Sequence, residues 1–348
     1  MKTVIGSLIL LAFSPTWAQR ATTLGRVMVD PVEFSYRWPA PNQAGFGILW
    51  WNTYKGTTNP ACAPDEESVF MHNLAEILRS PARPKMIVLG EYELGCLDPW
   101  LDQKLEESYV KTVSYYDFPS GTMSFAVYLD RSVKMGRSPS LIRTNWYPSE
   151  GGDVYQLEWY EKCRKAGRVE ADFAYFQRNV PQFDLTVEGK SLTVVPVHLV
   201  MPWKCLAEGS DSFGSKIEVF RGVMAGTDHP VYYQVKSLAE NLEKKIERRE
   251  IDRAVVLGDW NLFSWHKYWT VGRPKTFELL DEIGFSEDTV DDGDRFSFPS
   301  LSFNPEKVEQ RLLLDHAFHR GSLAVDYAEV LPLQGSDHYP ILMYVSMK

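Results

Sequence analysis

The stretch Val255-Val256-Leu257-Gly258-Asp259-Trp260-Asn261 closes an apolar run with a glycine and two oxygen-bearing side chains. Such a run predicts a buried strand that stops at a site. In an extended chain Asp259 and Asn261 leave on the same side. One offers a carboxylate, the other an amide with donors and an acceptor. The pair could steer a water and a phosphate beside a metal ion. Alone, Gly-Asp-x-Asn is more often a plain turn than a site. The chain, however, repeats the device. Asn52 ends the run 45–51, Glu91 ends 86–90 and His198 ends 194–197. Asp337 and His338 sit in Gly335-Ser336-Asp337-His338-Tyr339-Pro340, and Asp315 lies inside Leu312-Leu313-Leu314-Asp315-His316.

Carboxylates with an amide oxygen are the ligand set of a hard cation, Mg²⁺ or Mn²⁺. Histidine beside them suits acid–base work or charge stabilisation at a phosphate. An aspartate inside an apolar strand needs a partner, and an imidazolium is a good one. Each residue also has a plainer reading. Asn52 could end a turn, Glu91 could be solvated with Glu93 as its rival, and His198 could be a core histidine. Asp315 could belong to a structural pair, and Asp337-His338 to a capped turn. The ordered set favours a site. His72, His229, His266, His316 and His319 are assigned to structure or solvent.

The elements that must position these groups follow from periodicity. Helices are expected over 66–79, 231–250 and 276–283. Strands are expected over 45–52, 86–91, 123–129, 141–146, 154–159, 173–177 and 184–187. Further strands are expected over 192–199, 253–257, 312–318, 328–333 and 339–346. Glu188-Gly189-Lys190 reads as a hairpin turn. Residues 203–230 are a long loop of the kind that lies over sites. Short helices among many strands predict two packed mixed β-sheets flanked by helices, an α/β four-layer sandwich.

The 348 residues are 44% hydrophobic and 24% charged, which suits a globular protein. The net charge of −9 disfavours tight, non-specific binding to nucleic acid or anionic lipid. Residues 1–18 read as a secretory signal: Lys2, a short apolar core over 4–13, and Ala18 at the cleavage point. The expectation is an exported protein, periplasmic or extracellular. Residues 19–43, with Pro31, Pro39 and Pro41, read as a mobile lead-in, and 44–348 as one domain. No later segment is long and apolar enough to span a membrane. Cys62, Cys96, Cys163 and Cys205 fit an oxidising compartment, and the expected disulfides are Cys62–Cys96 and Cys163–Cys205. None has the spacing of a zinc site.

The chemical residues, taken in order, resemble the endonuclease/exonuclease/phosphatase superfamily over residues 45–346. Ser336-Asp337-His338-Tyr339-Pro340 and Gly258-Asp259-Trp260-Asn261 carry most of that resemblance. It implies a deoxyribonuclease-like sandwich. It implies Asn52, Glu91 and Asp337 as metal ligands, although Gly90 stands where the family usually has Gln. It implies that His198 contacts the scissile phosphate, Asp259 orients or deprotonates water, and Asn261 holds nucleophile and phosphate. His338, oriented by Asp315, would stabilise the phosphorane-like state. The implied cofactor is Mg²⁺, with Mn²⁺ as the alternative.

Departures narrow the branch. Abasic-site endonucleases usually carry Tyr at the place of His198 and an Asp at that of Tyr54. Inositol-phosphate phosphatases usually carry Arg at the place of Phe263 and Trp-Cys at that of Leu313-Leu314. Deoxyribonuclease-like and sphingomyelinase-like members are left. Trp260, Phe263, Trp265, Tyr268 and Trp269 offer a base-stacking platform, a lipid-facing lip or a core patch. Lys55, Arg131, Lys204 and Lys267 are a thin supply of cations near the expected tips. The favoured reading is a monomeric secreted nuclease. A lipid or small-phosphoester hydrolase comes second, and an inactive relative serving as a binding module third.

Overall fold

The computed structural model describes residues 19–32, 34–53, 68–93, 97–105, 107–115, 123–144, 178–199, 225–226, 230–264, 273–289, 296–298 and 312–348. Strands β1 (Gln19–Thr22), β2 (Gly25–Met28) and β3 (Phe46–Asn52) come first. Helix α1 (Val69–Arg79) leads to β4 (Met86–Glu93). Helix α2 (Asp98–Leu105) leads to β5 (Tyr109–Tyr115), β6 (Met123–Asp130), β7 (Lys134–Met135) and β8 (Ser140–Thr144). A hairpin joins β9 (Arg178–Val187) to β10 (Lys190–His198), followed by α3 (Pro230–Glu247) and β11 (Ala254–Ser264). Helix α4 (Glu278–Glu282) precedes β12 (Phe285–Glu287), β13 (Leu313–Arg320), β14 (Leu323–Val330) and β15 (Ile341–Met347).

One sheet runs β14-β15-β3-β4-β6-β5, the other β12-β13-β11-β10-β9-β7 with β8 against β9. Both are mixed, with β3 parallel to β4 and β10 parallel to β11. Alternation along the strands builds the layers. In β3, Ile48 and Trp50 join the core between the sheets, while Leu49 and Trp51 pack under α1. In β11, Val255 and Leu257 face the other sheet, while Val256 and Trp260 pack under α3. The four-layer sandwich expected from the sequence is therefore the observed architecture.

Ser68 caps α1 by accepting the Met71 amide, so the helix starts later than its apolar periodicity alone suggests. Phe70, Leu74 and Ile77 form its buried stripe. Val231, Val235, Leu238 and Leu242 do the same for α3. Each such side chain contributes about 2 kcal/mol by leaving water. The strand expected over 328–333 is displaced to Leu323–Val330. Leu331 and Leu333 are buried in the following loop, which gave that stretch its strand-like look. Helix α2 and strand β5 have no counterpart among the expected elements. Residues 1–18, the expected strands over 154–159 and 173–177, and all four cysteines lie outside the described residues.

The expected lead-in is packed, not mobile. Leu24 and Val27 are fully buried against the α1 layer, and Phe34 enters the core between the sheets. The Asn73 amide donates to the carbonyls of Met28 and Gln334, at 2.8 and 2.9 Å. Asp30 accepts from Gln334 Nε2 and from the Tyr339 hydroxyl, both at 2.7 Å. The polar, proline-bearing composition hid this because the segment's few apolar residues are spaced irregularly. Deleting residues 1–43 removes the buried apolar side chains of Leu24, Val27, Val29 and Phe34, which amounts to about 8 kcal/mol. A fall in melting temperature of about 10 °C or more is expected in thermal denaturation. An unchanged midpoint would return the segment to the status of a tail.

Candidate active site

The parallel pairing of β10 with β11 ends with His198 opposite Asp259. Across the other edge of β11, Asp259 pairs with Asp315 of β13. Three chemical residues thus stand in one row on the facing sheet. Opposite them, Asn52 pairs with Gly90 at the ends of β3 and β4. Strand alternation turns Asn52, His198, Asp259 and Asp315 toward the space between the sheets. All four are buried.

Glu91 reaches the same space by breaking the alternation. Ile87 and Leu89 face α1, so a regular strand would send Glu91 there too. The β4–β6 register slips between Leu89 and Tyr92, and Glu91 takes a φ of 46°. That left-handed residue at a bulge re-aims the carboxylate inward. The Asn52 amide nitrogen then lies 3.4 Å from Glu91 Oε1 and 3.1 Å from Asp259 Oδ2.

The tip of β11 corrects the extended-chain expectation for Asp259 and Asn261. Asn261 has a φ of 50°, and its backbone N–H donates to Asp259 Oδ1 at 2.8 Å. The aspartate thereby closes a turn over its own chain. Asn261 Nδ2 donates to the Leu199 carbonyl at 2.7 Å, tying the tip of β11 to that of β10. Gly258 has a φ of 148°, and a Cβ there would overlap the Val197 carbonyl oxygen. Only glycine lets the two parallel strands close this tightly just before the acid.

His338 approaches from the loop before β15. Its Nδ1 lies 2.7 Å from Asp315 Oδ2, and its Nε2 3.8 Å from Asp259 Oδ2. His198 Nε2 lies 3.4 Å from Glu91 Oε1 and 3.7 Å from Asp259 Oδ2. Ligand atoms of Glu91, His198 and Asp259 all fall within 4.8 Å of one another, as do those of Asp259, Asp315 and His338. Asp259 belongs to both groups. Asp337, expected among the ligands, belongs to neither; it lies 3.2 Å from Ser336 Oγ. Ser336 also donates to the Asn52 carbonyl at 2.6 Å, which seats this loop on β3.

Burial and neighbouring charge divide the protonation states. Burial pushes the Asp259 carboxyl well up, His338 pulls it down, and Asp315 and Glu91 raise it further. Burial also raises Asp315, but the His338 charge and hydrogen bonds from His338, Ser297 and Trp50 outweigh it and leave Asp315 lowered. Burial would lower His338, yet Asp315, Asp259 and Asp337 together lift it to about 10. Burial, then Arg178 and His338, push His198 down to about 3. At neutral pH the site therefore holds a His338 imidazolium paired with an Asp315 carboxylate, beside a neutral His198.

Arg178, a buried guanidinium at the start of β9 whose charge bears on His198, is absent from the sequence-derived set. A signal was there, since Arg178 follows the apolar stretch Phe173-Ala174-Tyr175-Phe176 of the strand expected over 173–177. Arg131, one of the cations expected near the tips, is exposed at the far end, where Leu129 of β6 pairs with the first residue of β4. Trp260 is fully buried under α3, which favours the core reading for that member of the aromatic cluster. The Phe263 side chain and Trp265, Tyr268 and Trp269 lie outside the described residues. His316 is structural: buried, it contacts Glu287 through Nδ1 and the Leu262 carbonyl through Nε2.

Two buried carboxylates, a neutral imidazole and an amide, gathered at one point, fit a hard divalent cation. Glu91, Asp259 and His198 would hold it, with Asn52 beside them. No protein-family model and no curated protein sequence matches the chain. Solved structures do. D. rerio TDP2, complexed with single strand DNA product, is 14% identical with a TM-score of 0.52; the match covers 87% of this chain and 100% of that one. An endonuclease/exonuclease/phosphatase from Beutenbergia cavernae is 16% identical with a TM-score of 0.53, over 87% of this chain and 71% of that one. A mannosyl-6-phosphatase from Bacteroides thetaiotaomicron is 12% identical with a TM-score of 0.51, over 87% and 100%. The chain has the fold of these structures.

Proposed function

We propose that this chain is an exported, divalent-metal-dependent phosphoester hydrolase that directs water in line at phosphorus. The observation that carries this reading is the shared position of Asp259, which joins the Glu91–His198 group to the Asp315–His338 pair. A bound Mg²⁺ would supply Lewis acidity and neutralise charge on the phosphoryl oxygens. With the cation bound and its own proton displaced, Asp259 would orient the attacking water and accept its proton. The His338 imidazolium, held by Asp315, donates toward the charge growing on phosphoryl oxygen. His198, neutral, would hold the cation through Nε2 beside Glu91 and Asp259, in place of the phosphate contact that the family resemblance implies. The second N–H of Asn261 and its amide oxygen are available to nucleophile and phosphate. As placed, Asn52 offers nitrogen to the acids, so ligation through its oxygen needs a half-turn of the amide.

A nucleic-acid phosphodiester is the first substrate reading. Single strands suit a chain of charge −9 better than long duplex footprints. A small phosphoester or a phospholipid headgroup is the second, and the remoteness of Arg131 from the site favours it. Export is inferred from residues 1–18 alone. The test is hydrolysis of bis-p-nitrophenyl phosphate with Mg²⁺ or Mn²⁺, repeated after EDTA and after adding the ion back. Expected are turnover, its loss, and its return. Total inactivity with both ions, in protein that binds neither, would make the chain a binding module. A panel of plasmid DNA, single-stranded DNA, RNA, sphingomyelin and sugar phosphates then ranks the substrates.

A further inference from the structure

We propose that Trp50 is a positioning residue for the reaction, fixing the Asp315 carboxylate from across the sandwich and, through it, the His338 imidazole. The inference rests on the hydrolase reading above. Trp50 lies on the face of β3 that looks into the core between the sheets, and it is fully buried. Its indole N–H donates to Asp315 Oδ1 at 2.7 Å, on a strand of the opposite sheet. The other carboxylate oxygen, Oδ2, lies 2.7 Å from His338 Nδ1. A carboxylate held at one oxygen can rotate about its terminal torsion, where the energy well is broad. Held at both, it presents one fixed edge to the imidazole. The neighbouring Trp51 points to the other face and donates to the His338 backbone carbonyl at 3.0 Å. Successive tryptophans thus secure the histidine's partner and the histidine's own chain.

Gly90 makes the reach possible. A Cβ at that position would overlap the six-membered ring of Trp50. The glycine sits where the family resemblance leads one to expect glutamine. The indole occupies the space that such a side chain would need. The plainer alternative is that Trp50 only fills the core and that its N–H is merely satisfied there. The two differ in what the nitrogen is for.

Replacing Trp50 by 3-benzothienylalanine keeps the ring's volume and removes the N–H. The expected result is a kcat lower by about 10-fold or more. KM and the calorimetric affinity for Mg²⁺ are expected to stay within about 2-fold, because neither substrate nor ion touches the indole. The low-field proton resonance of the His338–Asp315 bond should shift or broaden. Gly90→Ala, which crowds the ring from its other side, should reproduce the kcat loss without removing a hydrogen-bonding group. Trp50→Phe is the simpler variant, and the isostere carries the test if that variant fails to fold. Wild-type kcat in the isostere, with an unchanged resonance, would reduce Trp50 to a core residue. An inactive wild-type protein would instead overturn the hydrolase reading, and the resonance alone would still decide the role of Trp50.

Discussion

Asp259→Asn is expected to abolish turnover while raising the melting temperature of the metal-free protein. Asp259 is 2% exposed and shares its surroundings with Glu91 and Asp315. Burial and those like charges hold its pKa well above the ordinary value, against the pull of His338. The sign follows from linkage. A carboxyl with a raised folded pKa keeps its proton when the unfolded chain has lost it, so stability falls as pH rises from about 4 toward the raised value. Asparagine carries no such penalty at neutral pH and keeps an oxygen for the Asn261 N–H. Loss of the water-orienting carboxylate should lower kcat by about 10³-fold or more. Calorimetric melting in EDTA at neutral pH measures the gain. A divalent ion should then raise the midpoint of the wild-type protein and leave the variant unmoved. A variant less stable than wild type in EDTA would show that Asp259 is a structural acid.

The chemical residues were legible because each ends, or interrupts, an apolar run. Asn52, His198, Asp259 and Asp315 obey strand alternation, so their convergence follows from which strands are neighbours. What the sequence could not show is where alternation fails. Glu91 would face α1 if β4 were regular, and only its left-handed φ brings it in. Asn261 holds its place through a similar left-handed turn, not through extended spacing. Such kinks depend on contacts between distant segments, such as Asn52 to Glu91 and Asn261 to Leu199. The N-terminal segment was misread for a related reason. Its docking combines irregularly spaced apolar side chains with polar bonds of Asp30 and Asn73, which leave no hydrophobic period. Trp50 lies within the strand expected over 45–52, and its hydrogen bond to the opposite sheet became visible only with both sheets in place.

His338→Ala should lower kcat by at least about 100-fold with little change in KM, since its imidazolium acts on charge that develops during reaction. The pair it forms with Asp315 also predicts a pH window. Burial lowers the His338 pKa, but Asp315, Asp259 and Asp337 more than reverse this and lift it to about 10. A histidine with a raised folded pKa contributes stability that is complete below about 6.5, the unfolded value, and fades as pH rises through the folded one. Asp315 is shifted the other way: burial raises it, and His338 with its hydrogen bonds brings it below the ordinary range. Its contribution is present above about pH 4 and disappears as pH falls through the depressed value. The melting-temperature gap between wild type and Asp315→Asn should therefore be widest from about pH 5 to 6.5, narrow steadily above that, and close at both extremes. The same substitution should move the alkaline limb of kcat downward, toward about 6.5, because the imidazole loses the charge that kept it protonated. A kcat profile in Asp315→Asn that superimposes on the wild-type limb would sever His338 from Asp315 and leave the imidazolium without a part in catalysis.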